Sequence, residues 1–132
     1  MQKIVWVNGC FDVLHRGHFE LFKYAKSKGD KLIVGIDADE KVREAKGASR
    51  PINTQDDRKF VLQCIRYIDE VVIFNTPKEL ECLIKRLNPI MVVGSDWKGK
   101  TVVGSQFAQE VSFFDRIGDY STTKILGRNT ND

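Results

Sequence analysis

Short apolar runs alternate with amphipathic patterns of helical period along most of the chain, and this alternation limits the possible folds more than any other feature. The apolar runs predict five strands, at residues 3–7, 31–36, 70–74, 90–93 and 110–114. Helices are predicted at residues 17–28, 54–68 and 77–87, with a short last helix from Thr122. Because strands separated by helices pair in parallel through right-handed crossovers, the sequence predicts a three-layer α/β sandwich with a five-stranded parallel sheet.

Turn and capping residues set the expected element boundaries. Gly29 stands at the C′ position of the first helix, and Thr54 with Asp57 three residues later is typical of a helix start. Ser121 is expected to cap the last helix. The segment 37–53 is polar and is expected to form a flexible loop, and residues 127–132 a frayed tail.

Length and composition favour one domain and exclude several function classes. A chain of 132 residues with 42% hydrophobic residues can bury one core, predicted as a single domain over residues 1–126. The 21 basic residues are interleaved with 18 acidic ones, which does not indicate a nucleic-acid surface. No apolar stretch approaches membrane-spanning length and no signal segment is found, so we expect no membrane partner and a cytoplasmic location. Three cysteines without metal-ligand spacing fit reduced thiols.

The chain contains only two histidines, His15 and His18, and they lie one helical turn apart just after the first predicted strand. A strand-to-helix junction favours anions, because the first helical N–H groups lack partners and the macrodipole is positive there. Gly17 between the histidines leaves room for a phosphate to approach the backbone. The alternative is structural, with one histidine capping the helix and the other on the surface. The presence of both histidines in this one window favours a phosphate site.

A known family carries a motif that resembles this segment. Residues 9–18, GCFDVLHRGH, resemble the G-x-F-D-x-x-H-x-G-H motif of the cytidylyltransferase-like nucleotidyltransferases. Arg116 with the run STTKI at residues 121–125 resembles the second motif of that family. The resemblance covers nearly the whole chain and implies a Rossmann-like, doubly wound fold. Small members of the family form dimers, so a homodimer is expected.

The resemblance also assigns roles, mostly to polar residues that follow strands, where open α/β sheets bind ligands. The residues implied to be catalytic are His15, His18, Lys46 and Arg116. Those implied to bind the nucleotide are Gly9, Cys10, Phe11, Asp12, Gly17, Gly94, Asp96, Trp97, Ser121, Thr122 and Thr123. Those expected to bind the acceptor are Asp37 and Arg66.

Each of these roles has a structural alternative. Lys46 is expected to neutralise the triphosphate from its loop, with Arg50 as a weaker candidate, but loop cations are often only solubilising. Arg66 would equally complement a helix dipole, and Trp97 would either stack or pack. The hydroxyls at residues 121–123 would otherwise belong to an ordinary capped helix. Asp12 and Asp96 would orient a neighbouring group or act as caps. A nucleophilic role for Cys10 is not expected.

The choice of nucleotide rests on resemblances to two subfamilies. The segments RYIDEV at 66–71 and GSDWKGK at 94–100 resemble glycerol-3-phosphate cytidylyltransferases, which favours CTP and a phosphorylated alditol. The segments KGASRP at 46–51 and VVGS at 102–105 resemble the adenylyltransferases that make ADP-heptose from heptose 1-phosphate. We expect CTP, with ATP and a sugar 1-phosphate as the alternative.

The expected reaction is in-line attack of an acceptor phosphate on the α-phosphorus, with pyrophosphate leaving. The histidines would stabilise the transition state, and Lys46 and Arg116 would hold the pyrophosphate. Mg²⁺ is expected as a cofactor held mainly by the substrate phosphates, so no protein ligand is assigned to it. A further alternative is a catalytically silent module that binds a nucleotide.

Overall fold

A computed structural model describes residues 2–115 of the chain. Arg116, the segment 121–123, the predicted last helix and the predicted tail lie outside the described residues. The strands are β1 (Ile4–Gly9), β2 (Lys31–Asp37), β3 (Glu70–Phe74), β4 (Ile90–Gly94) and β5 (Glu110–Phe114). The helices are α1 (Arg16–Ser27), α2 (Asp39–Lys46), α3 (Gln55–Gln63) and α4 (Pro77–Leu87), with short 3₁₀ turns at Ser95–Trp97 and Ser105–Phe107.

The five strands form one sheet in the order β3-β2-β1-β4-β5, and every pairing is parallel. The predicted Rossmann-like α/β fold is therefore confirmed. The central strand β1 pairs with β2 from Ile4 opposite Lys31 to Gly9 opposite Ile36, and with β4 on its other side. The chain changes direction across the sheet between β1 and β4, and ligands bind at the carboxyl ends of the strands at such a point.

Alternate residues of the strands enter two apolar layers, as expected for a sheet covered on both faces. Val5 and Val7 of β1 pack with Phe22 of α1 and Leu62 of α3. Trp6, from the same strand, enters the opposite layer with Ile33, Phe74, Leu80, Ile84 and Met91. Helices α1 and α3 therefore cover one face and α4 the other.

The aromatic residues near β5 belong to these layers. Phe107 and Val111 pack against the layer under α4, and Phe114 packs against the layer under α1 and α3. These side chains therefore serve the core of the described part of the chain. The expected homodimer stays a prediction.

The ends of α1 differ slightly from the prediction. The helix begins at Arg16 and ends at Ser27, with Lys28 as its C-cap. Gly29 is in the C′ position without the expected left-handed conformation. A Cβ on Gly29 would lie 2.7 Å from Val5 Cγ2 and 2.8 Å from the Lys3 carbonyl oxygen. The glycine is needed because the chain packs closely on β1.

The largest difference between the prediction and the structure lies in the segment 37–53, which was expected to be a loop but contains the helix α2. Val42 is the only residue of α2 that is buried, so the apolar pattern of a helix is absent. The charge pattern carries the signal instead, since Asp39 and Glu40 lie in its first turn and Arg43 and Lys46 in its last. Lys46 is therefore the last residue of a helix, not part of a flexible loop.

Helix α3 begins as predicted but ends early. Thr54 caps it by accepting from the Asp57 N–H at 3.2 Å, whereas the helix stops at Gln63 and not at Ile68. Ile65 and Ile68 reach the core from a turn instead. No helix within residues 2–115 is long and apolar enough to cross a membrane.

Candidate functional site

Both histidines take part in the cap at the start of α1. His15 is the N-cap residue, and its Nδ1 accepts a hydrogen bond from the Gly17 N–H at 3.0 Å. The His15 N–H in turn donates to His18 Nδ1 at 3.1 Å. This reciprocal arrangement is a capping box in which histidines replace the usual hydroxyl and carboxylate side chains. Capping and phosphate binding were expected to be alternatives. Because capping uses only one nitrogen of each ring, the two functions are compatible.

The capping bonds fix the tautomer of each imidazole. A ring nitrogen that accepts from an N–H is unprotonated, so the neutral form of each histidine carries its proton on Nε2. The two rings lie close together, with centroids 3.9 Å apart and planes inclined by 32°. Burial, together with the neighbouring His15 and Lys46, lowers the pKa of His18 from 6.5 to about 4. At neutral pH His18 is therefore an uncharged donor through Nε2.

The turn that leads into this cap has a constrained backbone. Phe11 has a φ of 50°, which is rare for a residue with a side chain. Its buried ring contacts His18 edge-on at 5.4 Å between centroids and Phe22 at 5.1 Å. A Cβ on Gly9 would lie 3.1 Å from the same ring, so this glycine lets the phenyl group pack beneath the turn. Phe11 thus supports His18 from the core, which leaves its backbone for any contact with a nucleotide.

Asp12 is buried, and its carboxylate is held entirely from the segment before α3. Oδ2 accepts from Arg50 Nε at 3.0 Å and from the Ile52 N–H at 2.7 Å, while Oδ1 accepts from the Asn53 N–H at 2.8 Å. Burial alone would raise the pKa of Asp12, but the Asn53 and Ile52 amides and the Arg50 guanidinium outweigh it and lower the pKa. Asp12 therefore shapes the loop, and Arg50, which is only 6% exposed, holds Asp12.

Arg58, a buried arginine of α3, was not among the predicted site residues. Its Nη1 donates to the carbonyl oxygens of Cys10 at 2.9 Å and Asp37 at 2.8 Å, and its Nη2 binds Asp39 Oδ1 at 2.8 Å. A signal was present in the sequence, since Arg58 lies four residues before the core residue Leu62 and so shares its inward face. A charged residue on the buried face of a helix requires partners.

A cavity of about 490 Å³ opens at the carboxyl ends of the central strands. It brings together predicted site residues from three separate segments: Gly9, Cys10, Asp37, Lys46, Gly94 and Trp97. Asn8, Lys41 and the valines of β4 and of the segment after it also line the cavity, and none of them was predicted. Lys41 Nζ lies 3.1 Å from Asp37 Oδ1. The cavity is thus lined both by the cations Lys41 and Lys46 and by the apolar valines of β4 and of the following segment.

The cysteine at this cavity is not an activated nucleophile. Burial is the largest influence on Cys10 and raises the pKa of its thiol, although Lys46 and Arg58 act in the opposite direction. The thiolate that nucleophilic attack would need is therefore disfavoured. The raised pKa of the thiol is consistent with the expectation that Cys10 is not a nucleophile.

The three site residues predicted at the end of β4 and just after it differ in their relation to the cavity. Gly94 lies beside the Asp96 carboxylate, because a Cβ on Gly94 would come within 2.7 Å of Asp96 Oδ1. Asp96 is exposed and is not among the residues that line the cavity. Trp97 lines the cavity, and 46% of its surface is exposed.

The structure does not bring Arg66 to this cavity. Arg66 lies between α3 and the start of β3, at the amino edge of the sheet, whereas the histidines follow the carboxyl end of β1. It is exposed and donates from Nη2 to the Tyr67 hydroxyl oxygen at 2.9 Å. Arg66 therefore lies at the opposite edge of the sheet from the histidines and the predicted residues that line the cavity.

Residues 2–115 contain no group of three His, Cys, Asp or Glu side chains that could hold a metal ion. Magnesium held by the substrate phosphates stays a prediction.

Comparison with known families identifies most of the chain. The family model described as "Cytidylyltransferase-like" matches residues 6–128, which include the segment that carries both histidines. The match extends over both motifs singled out in the sequence.

Three similar curated relatives each carry the name "Bifunctional protein HldE". The chain is 46% identical to that of Campylobacter fetus over 128 residues, 48% to that of Nitratiruptor sp. over 130, and 43% to that of Helicobacter pylori over 128. These alignments cover 96% of this chain but only 27–28% of the relatives. The chain thus spans little more than a quarter of the length of the proteins that it resembles.

A solved structure supports the fold independently. It is described as a lipopolysaccharide core biosynthesis protein from Thermoplasma volcanium, and it matches with a TM-score of 0.69 at 23% sequence identity. The match covers 92% of this chain and 100% of the other chain.

Proposed function

The chain belongs to the cytidylyltransferase-like family, and on that premise we propose that it transfers AMP from ATP to a sugar 1-phosphate, with a heptose 1-phosphate as the preferred acceptor. The products are an ADP-sugar and pyrophosphate. The observation that carries this proposal is the pair of imidazoles whose Nδ1 atoms are both engaged in the α1 cap. Two fixed Nε2–H donors at a helix N-terminus suit an α-phosphate whose charge grows in the transition state.

The choice of ATP replaces the CTP that the sequence alone favoured. The relatives at 43–48% identity all carry the HldE name, and we take them to share the ADP-heptose chemistry that was the alternative from the sequence. The two segments that resemble ADP-heptose-forming enzymes also contribute to the cavity, through Lys46 from one and Val102 and Val103 from the other. By contrast, the RYIDEV segment, which favoured CTP, begins at Arg66 on the far edge of the sheet.

The proposed reaction is a single in-line displacement. An oxygen of the acceptor phosphate forms a bond to the α-phosphorus of ATP, and the bond from that phosphorus to the bridging oxygen breaks as pyrophosphate leaves. The acceptor phosphate is already ionised, so no general base is required. His15 and His18 donate from Nε2 to the α-phosphate oxygens, and Lys46 offsets the negative charge.

The proposed site also includes residues outside the described range. Arg116 and the hydroxyls of Ser121, Thr122 and Thr123 are proposed to hold the leaving pyrophosphate, as the family resemblance implies. Mg²⁺ would accompany the triphosphate and offset its charge when bound. The acceptor is assigned to the part of the cavity near Asp37, which is held next to the histidine segment by Arg58.

Release of pyrophosphate tests this function. The protein is incubated with ATP or CTP, each paired with heptose 1-phosphate, glucose 1-phosphate or glycerol 3-phosphate. The proposal expects release that depends on both substrates and is fastest with ATP and heptose 1-phosphate. Release only with CTP would overturn the choice of nucleotide. Nucleotide binding without release in any pairing would favour the silent module.

A second candidate is transfer of CMP from CTP to a phosphorylated alditol. Gly94 and Trp97 belong to the segment that resembles glycerol-3-phosphate cytidylyltransferases, and both line the cavity. The pairing of CTP with glycerol 3-phosphate in the same assay distinguishes this candidate.

A further inference from the structure

We propose that Arg58 is a positioning residue for the proposed nucleotidyl transfer, because it holds the segment that leads to the histidines and the helix that ends at Lys46 in one fixed arrangement. This inference rests on the proposed function for its kinetic consequence. Its structural consequence is independent of any substrate. No motif of the sequence pointed to this residue.

Arg58 joins segments that are far apart along the chain. Cys10, which follows β1, is 48 residues away, and Asp37, at the end of β2, is 21 residues away. Asp39, the first residue of α2, is bound through its side chain at 2.8 Å. A single guanidinium thus connects the carboxyl ends of two neighbouring strands with the start of α2.

Short segments connect the residues that Arg58 contacts to the histidine cap and to Lys46, which are proposed to act on the substrate. Cys10 precedes the His15 cap by five residues, and the turn between them is constrained by Phe11 and held at Asp12. Asp39 begins the single short helix that ends at Lys46. Because a helix is stiff over two turns, fixing its first residue also limits where its last residue lies. The separation between Lys46 and the two imidazoles therefore depends on Arg58.

Arg58 also supports the histidine segment by a second path. Its Nε donates to the Asn53 carbonyl oxygen at 3.0 Å. Asn53 in turn donates through its backbone N–H to Asp12 Oδ1 and through its side chain to the Asp12 carbonyl oxygen, both at 2.8 Å. The loop that carries Asp12 is thus attached to Arg58 at both Cys10 and Asn53.

The site requires an arginine and not simply a cation. Arg58 is only 2% exposed, so its charge is removed from water and is offset by Asp39 and by carbonyl oxygens. The planar guanidinium directs its donors to four acceptors at once, which the compact ammonium of lysine cannot do. Lysine at this position keeps the charge but leaves buried carbonyl oxygens without donors.

The kinetic test compares Arg58→Lys with Leu62→Val, a core substitution on the same helix that lowers stability without touching the loops. Pyrophosphate release is measured with ATP and heptose 1-phosphate and is expressed per folded molecule. We expect kcat to fall at least tenfold in Arg58→Lys and less than twofold in Leu62→Val. The loss should be smaller in a Lys46→Met background, because part of it acts through Lys46. Equal losses in the two single variants, or full additivity with Lys46→Met, would overturn the proposal.

Amide hydrogen exchange tests the structural consequence without any substrate. In Arg58→Lys, peptides that cover residues 8–14 and 37–47 should exchange faster, whereas α4 and β4 should be unchanged. Asp39→Ala, which removes one partner and leaves Arg58 in place, should affect residues 37–47 alone and supplies the test if Arg58→Lys does not fold. Uniform loss of protection, or loss in α3 alone, would contradict the inference. Wild-type protein that shows no turnover would instead contradict the proposed function, while the exchange result still decides the role of Arg58.

Discussion

The two histidines combine a structural and a chemical function because the two nitrogens of an imidazole are distinct. Nδ1 of each ring accepts from a backbone N–H and completes the cap of α1, which fixes both the orientation of the ring and its tautomer. Nε2 then carries the proton. An aspartate cap would stabilise the helix equally well, but an ionised carboxylate only accepts and would present no donor.

The first prediction concerns the titration of His18. Its resonances should titrate near pH 4, and nitrogen shifts should identify the Nε2–H tautomer at pH 7. Because the unfolded chain binds this proton near pH 6.5 and the folded chain only near 4, the free energy of unfolding should fall as the pH is lowered through that interval. The contribution of neutral His18 to the free energy of unfolding is complete above pH 6.5. An NMR titration of the two histidines checks this, and a midpoint for His18 near 6.5 would contradict it.

The second prediction separates capping from catalysis at His15. Asparagine is among the best N-cap residues, so His15→Asn should keep the melting temperature close to that of the wild type. It removes the Nε2 donor, and turnover should fall about a hundredfold, as when a preorganised donor is lost elsewhere. Thermal unfolding and pyrophosphate release measure the two effects. Turnover near the wild-type level would show that His15 serves only the helix.

At the scale of elements, α2 is the helix that matters most for the site and the one that the sequence predicted least. A helix with a single buried residue, Val42, has no apolar period to detect, so only its charge pattern distinguishes it from a loop. Strands β3 and β5 and helix α4 agree with the predicted bounds, because each has a strong apolar pattern or a clear capping signal.

Only part of the candidate site could be predicted from the sequence, as was the case for the helices and strands. The motif at residues 9–18 correctly places the histidines at a strand-to-helix junction, because that follows from local sequence. Apart from Asn53, which lies five residues before Arg58, the partners of Asp12 and Arg58 come from segments 19 to 48 residues away, and no local pattern contains that information. The Arg66 assignment illustrates the same difficulty, since a resemblance between sequences does not say at which edge of the sheet a residue lies.

The third prediction concerns Lys46 at the end of α2. Lys46→Met should lower kcat at least tenfold, because it removes a cation that lines the cavity and acts electrostatically on His18. Arg43→Met is the matched control, since Arg43 also lies in the last turn of α2 and contributes equally to the helix dipole. Steady-state kinetics of both variants check the difference. Equal losses would assign the effect to the helix and not to the cavity.

In the molecule as a whole, the parallel sheet places the described segments of the proposed site at one edge. The strand order 3-2-1-4-5 puts β1 in the centre, so the histidine segment lies between the ends of β2 and β4. Both faces of this sheet are covered, so its strands pack closely against the two apolar layers. Trp6, which is fully buried in β1, fills the layer on the α4 side.

The fourth prediction tests that contact. A Cβ on Gly35 of β2 would lie 2.3 Å from Trp6 Cζ2, so Gly35→Ala should lower the free energy of unfolding by about 2 kcal/mol or more. Adding Trp6→Phe should restore part of the loss, because the smaller ring leaves space for the methyl group. Urea unfolding of the two single variants and the double variant measures the coupling. Additive losses would mean that the two residues do not compete for space.

We propose that this chain joins an adenylate to a sugar 1-phosphate by direct displacement, and ³¹P NMR of the reaction mixture observes both products at once. With ATP and heptose 1-phosphate, we expect a pair of coupled diphosphate signals from an ADP-sugar that grow in step with pyrophosphate, without AMP. The His15→Asn protein should leave both substrates unchanged on the same time scale. Formation of AMP or of inorganic phosphate by the wild-type protein, with no diphosphate product, would rule out direct transfer to the sugar phosphate.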